Sequence, residues 1–165
     1  MTDARAAWLE KAMSEYETSL VRMCYAYLGD SSLAEDAVQE TFVKAYKGYH
    51  AFRADADEKT WLMRIAINTC KDIRRSAYLR HTDRQTALED LPEGSEPFSA
   101  QDDTLARAVM ALRPRLREAV LLRYYQDMSA PEVAQALGIS RAAVYSRLEK
   151  AHAALRETLG EWYHE

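Results

Sequence analysis

The sequence predicts an all-α protein of two small helical domains joined by an acidic, flexible linker, the C-terminal domain being a helix-turn-helix, and three observations carry that prediction. Apolar residues recur at spacings of three and four through both ends of the 165-residue chain, with no strand-like alternation. Residues 82–103 carry seven acids against one arginine, hold two of the four prolines and show no sustained apolar period, which is linker composition. Beyond them, Ser129, Glu132, Gly138, Ile139 and Ser140 stand where a short helix, a tight corner and a second helix need them. The expected division is 1–81 for a helical bundle, 82–103 for the linker and 104–165 for the helix-turn-helix domain.

The elements follow in order. From about Ala4 to Leu28, the residues Leu9, Met13, Tyr16, Leu20, Met23 and Tyr27 alternate steps of four and three, and Gly29 supplies a stop. Ser32 and Glu35 then stand at capping-box spacing before a second helix that runs to about Lys47, its inner face made of Ala34, Ala37, Val38, Thr41 and Ala45. A third helix starts after the acidic cluster Asp55 to Glu58 and turns Leu62, Ile65, Ala66, Thr69 and Ile73 inward. In the C-terminal half, Leu105, Ala108, Val109 and Leu112 form a short stripe that Arg113-Pro114-Arg115 interrupts, and Leu116, Ala119, Val120 and Arg123-Tyr124 resume a helix. Ser129 and Glu132 make a capping box, Val133, Ala134 and Leu137 give that helix its buried side, Gly138 supplies a left-handed turn residue, Ile139 anchors the corner and Ser140 caps the last helix.

The outward faces differ from one another. On the second helix, Asp36, Gln39, Glu40, Val43 and Lys47 share the polar side, so this side is either a docking surface or a solvated one with a single tolerated valine. The third helix lines up Arg64, Asn68, Lys71 and Arg75 at steps of four, three and four, with Arg74 on the flank and no acid in the stripe. Such a row either presents cations to a phosphate backbone or is simply a solvated basic face. Tyr46, Tyr49, Phe52 and Trp61 flank Arg53 just before it. Rings beside cations hold unstacked bases, and rings also fill cores. On the last helix, Val144, Leu148, Ala151 and Leu155 point inward, which turns Ala142, Ser146, Glu149 and Lys150 outward with Arg141 and Tyr145 on one flank; the small residues at its start permit close approach to a groove.

Composition bounds the function classes. The chain is 48% hydrophobic and 29% charged, which is globular, and its net charge of -4 taken whole argues against a nucleic-acid partner. By segment, however, the bundle is neutral, the linker sums to -6 and the last segment has nine basic residues against seven acidic ones. No apolar run reaches the roughly 18 to 20 residues of a membrane span. The start, Met1-Thr2-Asp3-Ala4, lacks a signal-peptide pattern, so a cytoplasmic protein with no membrane insertion is expected. Cys24 and Cys70 each stand alone and are expected to be buried thiols. His50, His81, His152 and His164 pair locally with no nucleophile or ligand set, and there is no phosphate loop or dinucleotide fingerprint; no catalytic residue, metal or cofactor is expected.

Three stretches, Ala34–Tyr46 (AEDAVQETFVKAY), Thr60–Asn68 (TWLMRIAIN) and Asp72–Arg75 (DIRR), followed by a linker and a helix-turn-helix, resemble a bacterial RNA polymerase sigma factor. The chain is most similar to the small extracytoplasmic-function group, which keeps only sigma regions 2 and 4, and the similarity spans about Glu15 to Leu159. The resemblance implies that Asp36, Gln39, Glu40 and Val43 bind the clamp helices of the largest subunit of core polymerase. It implies that the second-largest subunit's flap meets the C-terminal domain. The loop from about Phe52 to Lys59 and the helix after it would open and read the minus-ten element of promoter DNA, with Phe52, Arg53, Trp61 and Asn68 at matching positions and Arg64, Lys71 and Arg75 on the backbone. The last helix would read the minus-thirty-five element in the major groove through Ser140, Arg141, Ala142, Tyr145, Ser146, Glu149 and Lys150. The acidic linker would thread toward the RNA exit path, and an anti-sigma protein would sequester the factor. Two departures stand out: Ala142-Ala143-Val144 replaces the glycine-threonine-valine run of many relatives, and Ala54-Asp55-Ala56-Asp57 is acidic. The competing class is a one-component regulator whose N-terminal bundle senses a ligand or dimerises while the C-terminal half binds an operator alone.

Overall fold

The computed structural model describes residues 4–52, 57–83 and 100–160. The chain forms two compact units, Met1–Glu96 and Pro97–Glu165. The described residues contain helices and turns and no strand. None of the helices among them is long and apolar enough to cross a membrane.

Among the described residues of the first unit are three helices, α1 (Ala4–Leu28), α2 (Ser31–Lys47) and α3 (Glu58–Asp83), and a 3-10 turn at Tyr49–Ala51. α1 ends where the Gly29 N–H donates to the Tyr25 carbonyl at 2.8 Å with Gly29 at φ 72°, a conformation that costs glycine nothing. Asp30 follows in extended backbone and its carboxylate accepts the Leu33 N–H at 2.9 Å, so Asp30 caps α2 and the expected Ser32–Glu35 box does not. Asp57 does the same for α3, accepting both the Thr60 N–H at 3.2 Å and the Thr60 hydroxyl at 2.9 Å.

Leu20, Met23, Tyr27, Leu62, Met63 and Ile67 are fully buried where the three helices meet. Each such side chain contributes about 1.5–3 kcal/mol relative to exposure. Cys24 on α1 and Cys70 on α3 are free and buried in the same core, the Cys70 thiol donating to the Cys24 sulfur at 3.5 Å. That contact and burial together push the Cys70 thiol far above its ordinary range, which leaves Cys70 unreactive.

The inner stripe of α1 is rotated from expectation. Ala12, Tyr16, Leu20, Met23 and Cys24 are buried, whereas Met13 is 37% exposed and Leu9 only half-buried. A small residue marks the close approach of two helices better than a large flexible one does, because methionine's unbranched stem tolerates partial exposure.

The second unit holds α4 (Ala100–Ala111), α5 (Pro114–Val120), α6 (Ala130–Leu137) and α7 (Arg141–Thr158). α3 runs past residue 81 to Asp83 and α4 begins at Ala100, so helix occupies both ends of the segment expected to be linker; 84–99 lies outside the described residues. Pro114 stands in the first turn of α5, where its missing N–H leaves no helical bond unmade. The helix that Arg123 and Tyr124 were expected to continue widens instead into a π-helical turn at Leu121–Tyr125, with the Gln126 N–H reaching back to the Leu121 carbonyl at 3.2 Å. Ala106, Ala108, Val109, Leu112, Ala119, Leu121, Leu122, Val133, Val144, Leu148 and Ala151 build the core, while the expected Leu105 is exposed.

Candidate nucleic-acid interface

The α2 face is built by exclusion. Ala34, Ala37, Val38, Thr41, Phe42 and Ala45 are buried, which forces Asp36, Gln39, Glu40 and Val43 outward, and Val43 is 50% exposed. Lys44 edges this face. Its ammonium lies 3.4 Å from Glu40 and 4.0 Å from Asp72, and donates to the Thr69 hydroxyl at 3.2 Å, so it ties α2 to α3 while leaving Asp36 and Gln39 at the surface. At these exposures the ion pairs contribute little, about 0–1 kcal/mol each.

On α3, Leu62, Met63, Ala66, Ile67, Thr69 and Cys70 are buried, and Ile65 and Ile73 are half-buried. Arg64, Asn68, Arg74 and Arg75 are exposed, and Lys71 is half-buried on the same side. Spacing therefore brings one amide and several cations onto one helical surface. Arg53 lies outside the described residues.

Phe52 and Trp61 occupy a different setting from the row of cations. Their rings are 4.9 Å apart at 47°, and Trp61 is also 5.8 Å from Trp8 of α1, which in turn lies 5.4 Å from Tyr49. Both residues are half-buried, so each offers part of a ring to solvent and commits the rest to this four-ring cluster. The Trp8 indole N–H donates to Glu58, and the Arg5 guanidinium sits 4.0 Å over the Tyr46 ring. Sequence reasoning missed Trp8 and Arg5, although both fall on the rotated stripe that continues through Ala12 and Tyr16.

In the second unit the caps and the corner of the helix-turn-helix are present in atomic detail, while Leu137 and Leu155, expected on the buried sides of α6 and α7, are only half-buried and Ala136 is buried instead. Ser129 accepts the Glu132 N–H at 3.3 Å and Glu132 accepts the Ser129 N–H at 2.9 Å. Gly138 takes φ 68°, the Ile139 N–H closes on the Ala134 carbonyl at 3.0 Å, and Ser140 caps α7 by accepting the Ala143 N–H at 3.1 Å. Val144, Leu148 and Ala151 are buried, so Ser140, Arg141, Ala142, Tyr145, Ser146, Glu149 and Lys150 all stand exposed, Tyr145 at 61%. Arg147, on the other side of α7, donates to the Arg115 carbonyl at 3.4 Å and lies 3.8 Å from the buried Glu118. That link fixes the pitch of α7 against α5, and no local spacing in the sequence announces it.

Family models match on both units: Sigma-70 region 2 over residues 12–91 and Sigma-70 region 4 over residues 102–155. The chain belongs to the sigma-70 family. Among its relatives, the ECF RNA polymerase sigma factor SigL of Mycobacterium tuberculosis is 35% identical over 163 residues, covering 96% of this chain and 92% of the relative. SigW of Bacillus subtilis, likewise an ECF RNA polymerase sigma factor, is 28% identical over 158 residues, with 87% and 84% covered. Among solved structures, CnrH in complex with the cytosolic domain of CnrY is similar at 25% identity and a TM-score of 0.71, covering 93% of this chain and 88% of that one. RpoE of Bartonella quintana, in complex with the anti-sigma factor NepR, shares the fold at a TM-score of 0.75 and 22% identity, with 92% and 96% covered. This sigma factor is thus an extracytoplasmic-function member that acts in transcription initiation by RNA polymerase at promoter DNA, a non-enzymatic role.

Proposed function

We propose that this sigma factor divides initiation among three helical faces. The α2 face, Asp36, Gln39, Glu40 and Val43, docks on the clamp helices of core polymerase. The α3 face opens and reads the minus-ten element, with Arg64, Lys71 and Arg75 on backbone, Asn68 on a base, and the solvent-facing edges of Phe52 and Trp61 beside the opened strand together with Arg53. The exposed side of α7, from Ser140 to Lys150, enters the major groove at minus-thirty-five, while the flap of the second-largest subunit meets the same domain. The work is cytoplasmic, and an anti-sigma factor restrains it by covering one or more of these faces, as the partners named for CnrH and RpoE suggest.

The observation that supports the assignment most is the α7 arrangement: seven candidate contact residues exposed at the start of a helix whose opposite side buries Val144, Leu148 and Ala151, capped at the end where small side chains permit close approach. Opening a promoter costs a few kcal/mol per unstacked step, more than a bundle of three helices offsets alone, so docking on polymerase is part of the mechanism. Asp36→Arg combined with Gln39→Ala is expected to abolish co-purification with core polymerase and, with it, run-off transcription from a promoter pool. Unchanged co-purification would refute the α2 assignment.

A further inference from the structure

We propose that Trp8 is a positioning residue for promoter opening: from the second turn of α1 it fixes the ring planes of Trp61 and Tyr49 and holds Glu58, so that the surface opening the minus-ten element is preformed. The inference rests on the α3 assignment above and adds to it a residue from a helix that no nucleic-acid role reaches.

The geometry is convergent. Trp8 meets Tyr49 at 5.4 Å and 42°, and Trp61 at 5.8 Å and 59°, tilted arrangements of the kind aromatic pairs prefer. Its indole N–H donates to the Glu58 carboxylate, a charge-assisted bond at the first residue of α3. Phe52 also meets Trp61, at 4.9 Å and 47°. Gly48 lies alongside the Trp61 ring: a Cβ there would meet Trp61 Cζ2 at an ordinary contact distance of 3.6 Å and the Lys44 carbonyl more tightly at 3.2 Å. Arg5, one turn before Trp8, stacks over Tyr46 at 4.0 Å and secures the end of α2 from the same helix. One side chain of α1 thus contacts both the turn before the 52–58 connection, at Tyr49, and the helix after it, at Glu58 and Trp61.

A half-buried tryptophan packed against Phe52 alone is free to tilt, whereas one that also packs against Trp8 presents a fixed edge. A flipped or unstacked base is captured by a pocket already in place, and a loosened pocket loses opening rate before it loses anything else. The face of α2 that docks on polymerase lies on other residues, so docking and opening separate experimentally.

Holoenzyme is reconstituted from core polymerase and the full chain, and promoter-specific transcripts are measured from a duplex template and from one whose minus-ten region is a pre-opened mismatch bubble. Trp8→Ala is expected to lower the duplex signal about tenfold and the bubble signal by less than twofold, with polymerase co-purification retained. Trp8→Phe, which keeps a ring but no N–H, and Glu58→Ala are expected to give smaller losses of the same duplex-selective kind, and Glu58→Gln, which keeps an oxygen for the indole, to recover most of what Glu58→Ala loses. Equal loss on both templates, or no loss on either, overturns the assignment, and the Phe and Gln variants decide it if Trp8→Ala does not fold. Wild-type protein that starts no transcript from the duplex promoter overturns the underlying opening role instead.

Discussion

Asp30 caps the start of α2: its carboxylate takes the Leu33 N–H at 2.9 Å from an extended backbone, directly after Gly29 has turned the chain at φ 72°. Loss of an N-cap acceptor costs typically about 1 kcal/mol. Asp30→Ala is therefore expected to lower the unfolding free energy of the first unit by about 1 kcal/mol in urea denaturation, while Ser32→Ala, whose residue is exposed and caps nothing, changes it by less than about 0.5 kcal/mol. The sequence pattern pointed to Ser32, whose spacing to Glu35 fits a capping box as well as that of any true one. What decides is where Gly29 ends the preceding helix, which leaves Asp30 as the first residue in extended backbone. At Ser140 no such rival stands nearby, and at Ser129 the rival Asp127 is set aside by its left-handed φ of 54°, so there residue types and spacing identified the caps correctly.

At the scale of elements, the same contrast between local and distant determinants recurs. The corner of α6 and α7 was legible because all its determinants lie within twenty residues and each has a stereochemical reason: an oxygen for an orphan N–H, a glycine for φ 68°, an apolar residue to close the turn. The face of α7 followed from its period. The rotation of α1 did not, since Ala12 counts for little in an apolar stripe and Met13 for much, although only the alanine is buried. The ring cluster was legible as composition and not as contact, because Trp8 and Glu58 are 50 residues apart and no periodicity links them. Tyr16, in the middle of α1, registers this packing chemically. Burial first, then the charges of Glu15, Glu58 and Asp57, push its hydroxyl up to about 12 from an ordinary 10.0. The sign follows from linkage: between those values the unfolded chain has released the proton while the folded chain keeps it, so the contribution to stability is complete below pH 10.0, falls as pH rises toward about 12, and is gone above it. Tyr16→Phe has no proton to lose. Thermal melts from pH 9 to pH 12 are expected to show the wild type losing more stability than Tyr16→Phe, and parallel curves would mean that Tyr16 is not buried as described.

For the whole molecule, a net charge of -4 and a promoter-binding role are reconciled by where the charges lie. The helical faces assigned to DNA are those of α3 and α7, each backed by its own core, while the acids that set the total are concentrated between residues 82 and 103. A protein of this charge gains little from long-range attraction to DNA, so free sigma factor is expected to bind promoter duplex weakly, with polymerase supplying the steering and much of the affinity. Within the holoenzyme, individual cations still report on their contacts. Each phosphate contact made by a cation steepens the fall of log affinity against log salt by about 0.9 on duplex and about 0.7 on single strands. Arg75→Ala is expected to weaken promoter binding and to make that slope shallower by about 0.7 to 0.9. Tyr145→Ala, a neutral side chain on the α7 face, is expected to weaken binding at every salt concentration and leave the slope unchanged. The two variants are compared in one salt titration of holoenzyme on a single promoter: an unaltered slope for Arg75→Ala would move that guanidinium off the backbone, and a changed slope for Tyr145→Ala would mean that the loss of one ring had shifted the cations Arg141 and Lys150 beside it.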